Sequence, residues 1–234
     1  MSTAQFHFHP ELEFFLSPGR RGAAAVVSFK GRQSVKHLIE SLGVPHTEVG
    51  TLLVNGRETG LGHITKNGER VEVWPAAPGC PLAPRFLLDS HLGRLTAHLR
   101  MLGFDCLYRN DYTDADLAEL AGREARILLS RDRRLLMRKV VQYGYCLRSL
   151  EPQEQLIEVV RRFQLADKIV PFRRCLRCNT PLEPVSKEKV LDRLEPLTKK
   201  YFDEFRLCPA CDQVYWKGSH YERMQRLIEQ LSRK

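Results

Sequence analysis

The chain has 234 residues, 43% of them apolar and 28% charged, with a formal net charge of +9 at pH 7. This composition excludes a disordered, collagen-like or coiled-coil chain, and the length predicts one or two domains, each able to bury its own core. No run approaches the roughly 20 apolar residues of a membrane-spanning helix, and the opening MSTAQFHFHPELEF carries no leader-like pattern, so a cytoplasmic protein without a membrane partner is expected. Seven cysteines, four of them in two Cys-x-x-Cys pairs, favour metal over a disulfide framework.

The segment PAAPGCPLAP at 75–84 holds four prolines and a glycine and reads as a linker. Residues 1–84 contain 8 basic and 7 acidic side chains, and the rest of the chain contains 29 and 21. The charge asymmetry assigns a polyanionic partner to the C-terminal two-thirds. The expected division is a domain over 1–78, a linker over 79–84, a second domain over 85–168 and a metal-binding module over 169–234.

The first 78 residues predict a strand from about Phe6 to Leu16, a turn at 17–22, and a strand over Ala23–Phe29. A helix over Val35–Leu42, a strand over Thr51–Val54, an Asn55-Gly56 turn and a strand over Val71–Trp74 follow. This ββαββ order resembles the β-grasp, or ubiquitin-like, fold. The small sulfur carriers of that fold react through a free C-terminal Gly-Gly, whereas here the last strand runs into the linker. The domain then serves either to dock a protein or RNA or to stabilise its neighbour. His7 and His9 share one strand face with no third ligand, and read as surface residues.

From Arg85 short apolar runs alternate with helical patterns. Strands are predicted at 85–88, 104–108, 126–129 and 143–147, with helices through Leu92–Leu102, Ala115–Gly122 and Pro152–Phe163 and a basic helical segment opening at Asp132. The alternation predicts a parallel sheet covered on both faces, whose ligands lie beyond the carboxyl ends of the strands. Asp89 follows the first strand, Asp111 and Asp114 the second, and Asp132 the third. Carboxylates gathered at one sheet edge repel one another, and a hard divalent cation relieves that repulsion. Taken singly, Asp89, Asp114 and Asp132 also suit helix N-caps. Arg131, Arg133, Arg134, Arg138 and Lys139 cluster around Asp132, either to hold a phosphodiester or as a solvated helix face.

The runs FLLDSHLGRLTAHLRMLGFD (86–105), DADLAELA (114–121) and RILLSRD (126–132) resemble the PIN-type ribonuclease domain named after the C-terminal region of the Mut-seven exonuclease. The resemblance implies a three-layer α/β domain that uses magnesium or manganese to cut single-stranded RNA, leaving a 5′-phosphate and a 3′-hydroxyl. It assigns Asp89, Asp114 and Asp132 to the metal, with Asp111 as a fourth acid. The additional Glu of many PIN domains has no equivalent here. That gap keeps open an alternative, a non-catalytic RNA-binding adaptor whose β-grasp domain recruits a protein partner.

Cys175-Leu-Arg-Cys178 and Cys208-Pro-Ala-Cys211, 29 residues apart, supply four thiolates for a structural zinc ribbon. Cys80 reads as a linker thiol, and Cys106 and Cys146 as buried strand thiols. The segment QVYWKGSHY (213–221) resembles the family's aromatic signature. Lys217 and His220 could contact RNA there, or the segment could pack on the nuclease domain, with a last helix over Tyr221–Leu231.

Overall fold

The computed structural model describes residues 1–218 and Tyr221; His220 and nearly all of the predicted last helix lie outside the described residues. The chain forms two compact units. One comprises Met1–Ala77 and Thr113–Cys146, the other Pro78–Tyr112 and Leu147 onward. The chain leaves the first unit at the proline-rich segment, returns to it at Thr113, and leaves again after Cys146.

The first unit opens with a five-stranded mixed sheet of order β2-β1-β5-β3-β4. Its strands are β1 (Ser2–Phe8), β2 (Ala25–Phe29), β3 (Val49–Val54), β4 (Arg57–Thr59) and β5 (Arg70–Pro75). β1 runs parallel to β5, and the remaining pairs are antiparallel. Helix α1 (Val35–Ser41) turns Val35, Leu38 and Ile39 inward, and the Ser34 hydroxyl caps it by accepting from the His37 amide.

Two sequence expectations change here. The strand predicted to reach Leu16 ends at Phe8, because Pro10 opens a 3-10 helix over Pro10–Phe15 whose entry is held by the His9 ring accepting from the Glu11 amide. The Asn55-Gly56 turn, both residues at positive φ, continues into the additional short strand β4.

The same unit holds α3 (Asp114–Arg123), β8 (Ile127–Ser130), α4 (Arg133–Leu136) and β9 (Gly144–Cys146). β8 and β9 pair in parallel with Ser130 opposite Cys146. All four β8 side chains are buried, as a strand covered on both faces requires. The β-grasp portion grips this segment: the His46 ring donates from Nε2 to the Val141 carbonyl at 2.8 Å, and the Cys146 amide donates to Glu48 Oε1 at 2.7 Å. Glu48 is 3% exposed. A buried carboxylate persists only where it is hydrogen-bonded, and the amide meets part of that need.

The second unit contains β6 (Arg85–Leu88), α2 (Gly93–Met101), β7 (Asp105–Leu107) and α5 (Pro152–Arg162). β6 and β7 pair in parallel. Phe86, Phe104 and Phe163 pack edge-on or tilted at 5.6–6.1 Å, with Leu95, Leu99, Leu156 and Val159 fully buried around them. Burying each such side chain contributes roughly 1.5–3 kcal/mol. Helix α2 stops at Gly103, whose φ of 96° suits the residue after a helix and whose missing side chain admits the Val170 carbonyl. An antiparallel sheet of β10 (Glu183–Val185), β11 (Phe205–Leu207) and β12 (Val214–Trp216) completes the unit, backed by Val190, Leu194, Phe205 and Val214.

Candidate active site and metal centre

Each of the four candidate aspartates has its own local setting. Asp89 directly follows β6 at the N-cap position of a 3-10 turn, yet makes no side-chain cap; its Oδ1 accepts from the Ser90 hydroxyl at 3.1 Å. Asp111 is exposed and forked by Arg109, with Nε and Nη2 donating at 2.9 and 2.6 Å, while the guanidinium also lies over the Tyr112 ring. Hydrogen bonding to Arg109 lowers the Asp111 pKa.

Asp114 is the first residue of α3, but the cap belongs to Thr113. Thr113 accepts from the Asp116 amide, and the Asp116 carboxylate accepts in return from Thr113, a reciprocal capping box. Arg138 lies 3.9 Å from Asp114. Asp132 does cap: its Oδ1 accepts from the Arg134 amide at 2.7 Å and the Leu135 amide at 3.4 Å, and its own amide donates to the buried Ser130 hydroxyl. Both cap bonds fall on Oδ1, so Oδ2 takes no part in the cap. The capping alternative therefore holds for Asp132 and fails for Asp89 and Asp114. Asp89 and Asp111 belong to one unit, Asp114 and Asp132 to the other.

The basic cluster lies wholly in the first unit and divides by exposure. Arg131, Arg134, Arg138 and Lys139 are exposed, whereas Arg133 is half-buried. Its guanidinium donates to the carbonyls of Phe15 and Phe14 at 2.9 and 3.3 Å and lies 5.1–5.2 Å from both ring centroids. Lys217 is paired with Glu204 at 2.6 Å, and hydrogen bonding to that carboxylate raises its pKa.

The cysteines converge. The sulfurs of Cys175, Cys178, Cys208 and Cys211 lie within 4.8 Å of one another, a group of potential ligand atoms close enough for one ion among the described residues. The Cys175–Cys211 and Cys178–Cys208 separations are 3.4 and 3.3 Å, near the edge of about 3.8 Å expected for four sulfurs at zinc–thiolate distance.

The thiols sit in unequal surroundings. Burial opposes ionisation of Cys178, yet bonds with Thr180 and the neighbouring thiols outweigh it and bring its pKa to about 6. Burial pushes Cys211 up to about 12. The Tyr215 hydroxyl lies 3.2 Å from Cys175 Sγ and accepts from the Leu176 amide at 3.0 Å. Cys106 and Cys146 are buried strand residues, as expected.

Sequence reasoning missed the residues that fasten this knuckle. Arg100, on α2 and 5% exposed, donates to the Cys106 carbonyl and, through Nη1, to the carbonyls of Leu176 and Arg177 between the first two cysteines at 2.9 Å each. Asn179 accepts from the Cys106 amide at 3.0 Å and donates to Asp105 at 2.9 Å. An arginine on an otherwise apolar helix face was the one signal available.

Among the described residues no helix is long and apolar enough to cross a membrane. No curated protein and no solved structure matches the chain. Residues 1–79 match the family described as Mut7-C ubiquitin. Residues 84–228, well over half of the chain, match the family described as Mut7-C RNAse domain, and the chain belongs to that family, with the ubiquitin-like domain preceding it.

Proposed function

We propose that the chain is a metal-dependent ribonuclease acting on single-stranded RNA in the cytoplasm. The observation that carries this reading is the family match over 84–228, within which Asp89 directly follows β6 and Asp132 stands two residues beyond the end of β8. Asp89, Asp114 and Asp132 are the proposed ligands of magnesium or manganese, an assignment that rests on their motif positions and on each carboxylate's own surroundings. Asp89 and Asp114 are not spent on caps, and Asp132 keeps Oδ2 outside its cap. Oxygen donors of this kind suit a hard cation, which when bound would supply Lewis-acid activation of the phosphodiester and of water. Asp111, with both oxygens on Arg109, is better suited to orienting that guanidinium than to ligating metal.

The exposed Arg131, Arg134, Arg138 and Lys139 hold the RNA backbone, with Lys217 and His220 as further contacts. The four cysteines hold a structural zinc, since four sulfurs leave no position for water. The ubiquitin-like domain offers a surface to a protein partner.

The test is cleavage of labelled single-stranded RNA by zinc-loaded protein with and without added manganese, beside an Asp89→Asn, Asp132→Asn double variant. Asparagine is itself a good N-cap, so this change should spare α4 while removing the charges. Metal-dependent cleavage lost in the variant is the expected result, and equal cleavage by both proteins would overturn the assignment. A second reading, the RNA-binding adaptor, is favoured by the engagement of Asp111 with Arg109 and of Asp132 with its own helix. It requires tight RNA binding without turnover in any divalent metal.

A further inference from the structure

We infer that the ubiquitin-like domain is a positioning element for Asp132, acting through Arg133 and Glu48. The catalytic half of this inference rests on the ribonuclease reading above. Asp132 lies in the short connection between β8 and α4, a helix of only four residues. So short a helix has little stability of its own, and the direction of its first turn must be held from outside.

Two struts from the N-terminal domain hold it. On one side, the residue after Asp132 sends its guanidinium into a socket made by Phe14 and Phe15. Two N–H groups donate to the two successive carbonyls, and both rings flank the charge. Gly43, at φ 99°, closes the socket: a side chain there would press on the Phe15 carbonyl that accepts from Arg133. On the other side, buried Glu48 accepts from the Cys146 amide. Cys146 is the register partner of Ser130, and the Ser130 hydroxyl accepts from the Asp132 amide. The turn carrying Asp132 is thus fixed at both ends by one domain, and Arg133 is engaged with that domain instead of facing RNA.

The experiment uses the full-length, zinc-loaded chain and four variants: Arg133→Lys, Arg133→Ala, Phe14→Ala and Asp132→Asn. Lysine keeps the charge but cannot span two carbonyls with a fixed fork. Phe14 is 40% exposed, so its truncation leaves the fold intact. Amide exchange of peptides covering 127–137 is expected to quicken in Arg133→Lys, Arg133→Ala and Phe14→Ala. In manganese, kcat is expected to fall about 10- to 100-fold with KM for RNA unchanged within about twofold, the signature of a misplaced group.

Parent-like exchange over 127–137 in the first three variants would overturn the inference. So would a raised KM in Arg133→Ala that Arg133→Lys restores, because Arg133 would then be a phosphate contact. The ribonuclease reading fails separately, if Asp132→Asn cleaves as the parent does. In that case the exchange arm still decides whether the domain holds the turn.

Discussion

The two units meet one structural problem with different materials. Each contains a pair of parallel strands only three or four residues long, β8 with β9 in the first and β6 with β7 in the second. Pairs this short do not persist alone and need both faces and their ends covered. In the first unit the cover is a β-grasp domain with its own apolar core, which reaches out through His46, Glu48 and the socket for Arg133. In the second it is a thiol-lined knuckle whose carbonyls accept from Arg100 and whose Asn179 brackets the amide and carboxylate of β7. In both, an arginine binds backbone carbonyls, because its fixed fork can satisfy two acceptors at once. The lesson lies in what each clamp is made of: the first stands on packed hydrocarbon, the second on four thiols close enough to share one ion.

Metal removal should separate the units most sharply. Structural zinc in such a site is worth on the order of 10 kcal/mol. Stripping it, or making Cys208→Ser, should abolish amide-exchange protection in β10–β12 and also across β7 and α2, while β1–β5 keep theirs. Unchanged protection of residues 105–107 would break the comparison.

Replacing Arg100 with Leu tests the same coupling without touching a thiol. It takes the donor from one buried and two part-buried carbonyls and should cost about 3 kcal/mol in urea unfolding of the metal-loaded protein. A cost under about 1 kcal/mol would mean that the knuckle is not held by this bond. For the first unit, Glu48→Ala removes the buried carboxylate that accepts from the Cys146 amide and should cost about 2 kcal/mol, with Glu48→Gln costing less because an acceptor remains. Equal losses would show that charge matters there more than the hydrogen bond.

The smallest expected effect is on pH. His98, on α2, is partly buried with Nδ1 lacking a partner among the described residues, and burial lowers its pKa below the usual 6.5. A depressed folded pKa means that the unfolded chain takes up the proton first. The stability contributed by neutral His98 is therefore present above about pH 6.5 and is lost as the pH falls through the folded value. His98→Gln should flatten this acid limb of the stability–pH curve, read by urea titration at pH 5 and 7.5. An unchanged limb would assign it to other groups.

Much of the site was legible locally. The Cys-x-x-Cys spacing named the four cysteines whose sulfurs converge, and the strand-then-Asp pattern located Asp89 and Asp132 near strand ends. The Leu95-Leu99-Leu102 spacing followed by glycine marked α2 and its end. What was not legible came from contacts far apart in the chain. Arg133 read as one basic residue among five, and its partners Phe14 and Phe15 lie more than 100 residues earlier. The overextended first strand was a local miss, in which Pro10 and the His9 cap prevailed over the apolar pattern.

By itself the sequence determined the alternation of strands and helices, the paired-cysteine module and the proline-rich break at 75–84, because periodicity, turn residues and thiol spacing are local properties. Tertiary structure alone decided that residues 113–146 are grouped in one compact unit with residues 1–77, that Asp132 caps while Asp89 and Asp114 do not, and that two of the chain's many arginines are fasteners. The physical reason is the same in each case. A hydrogen-bonding group that leaves water must find a partner wherever the fold has brought one, and chain separation does not limit which partner that is.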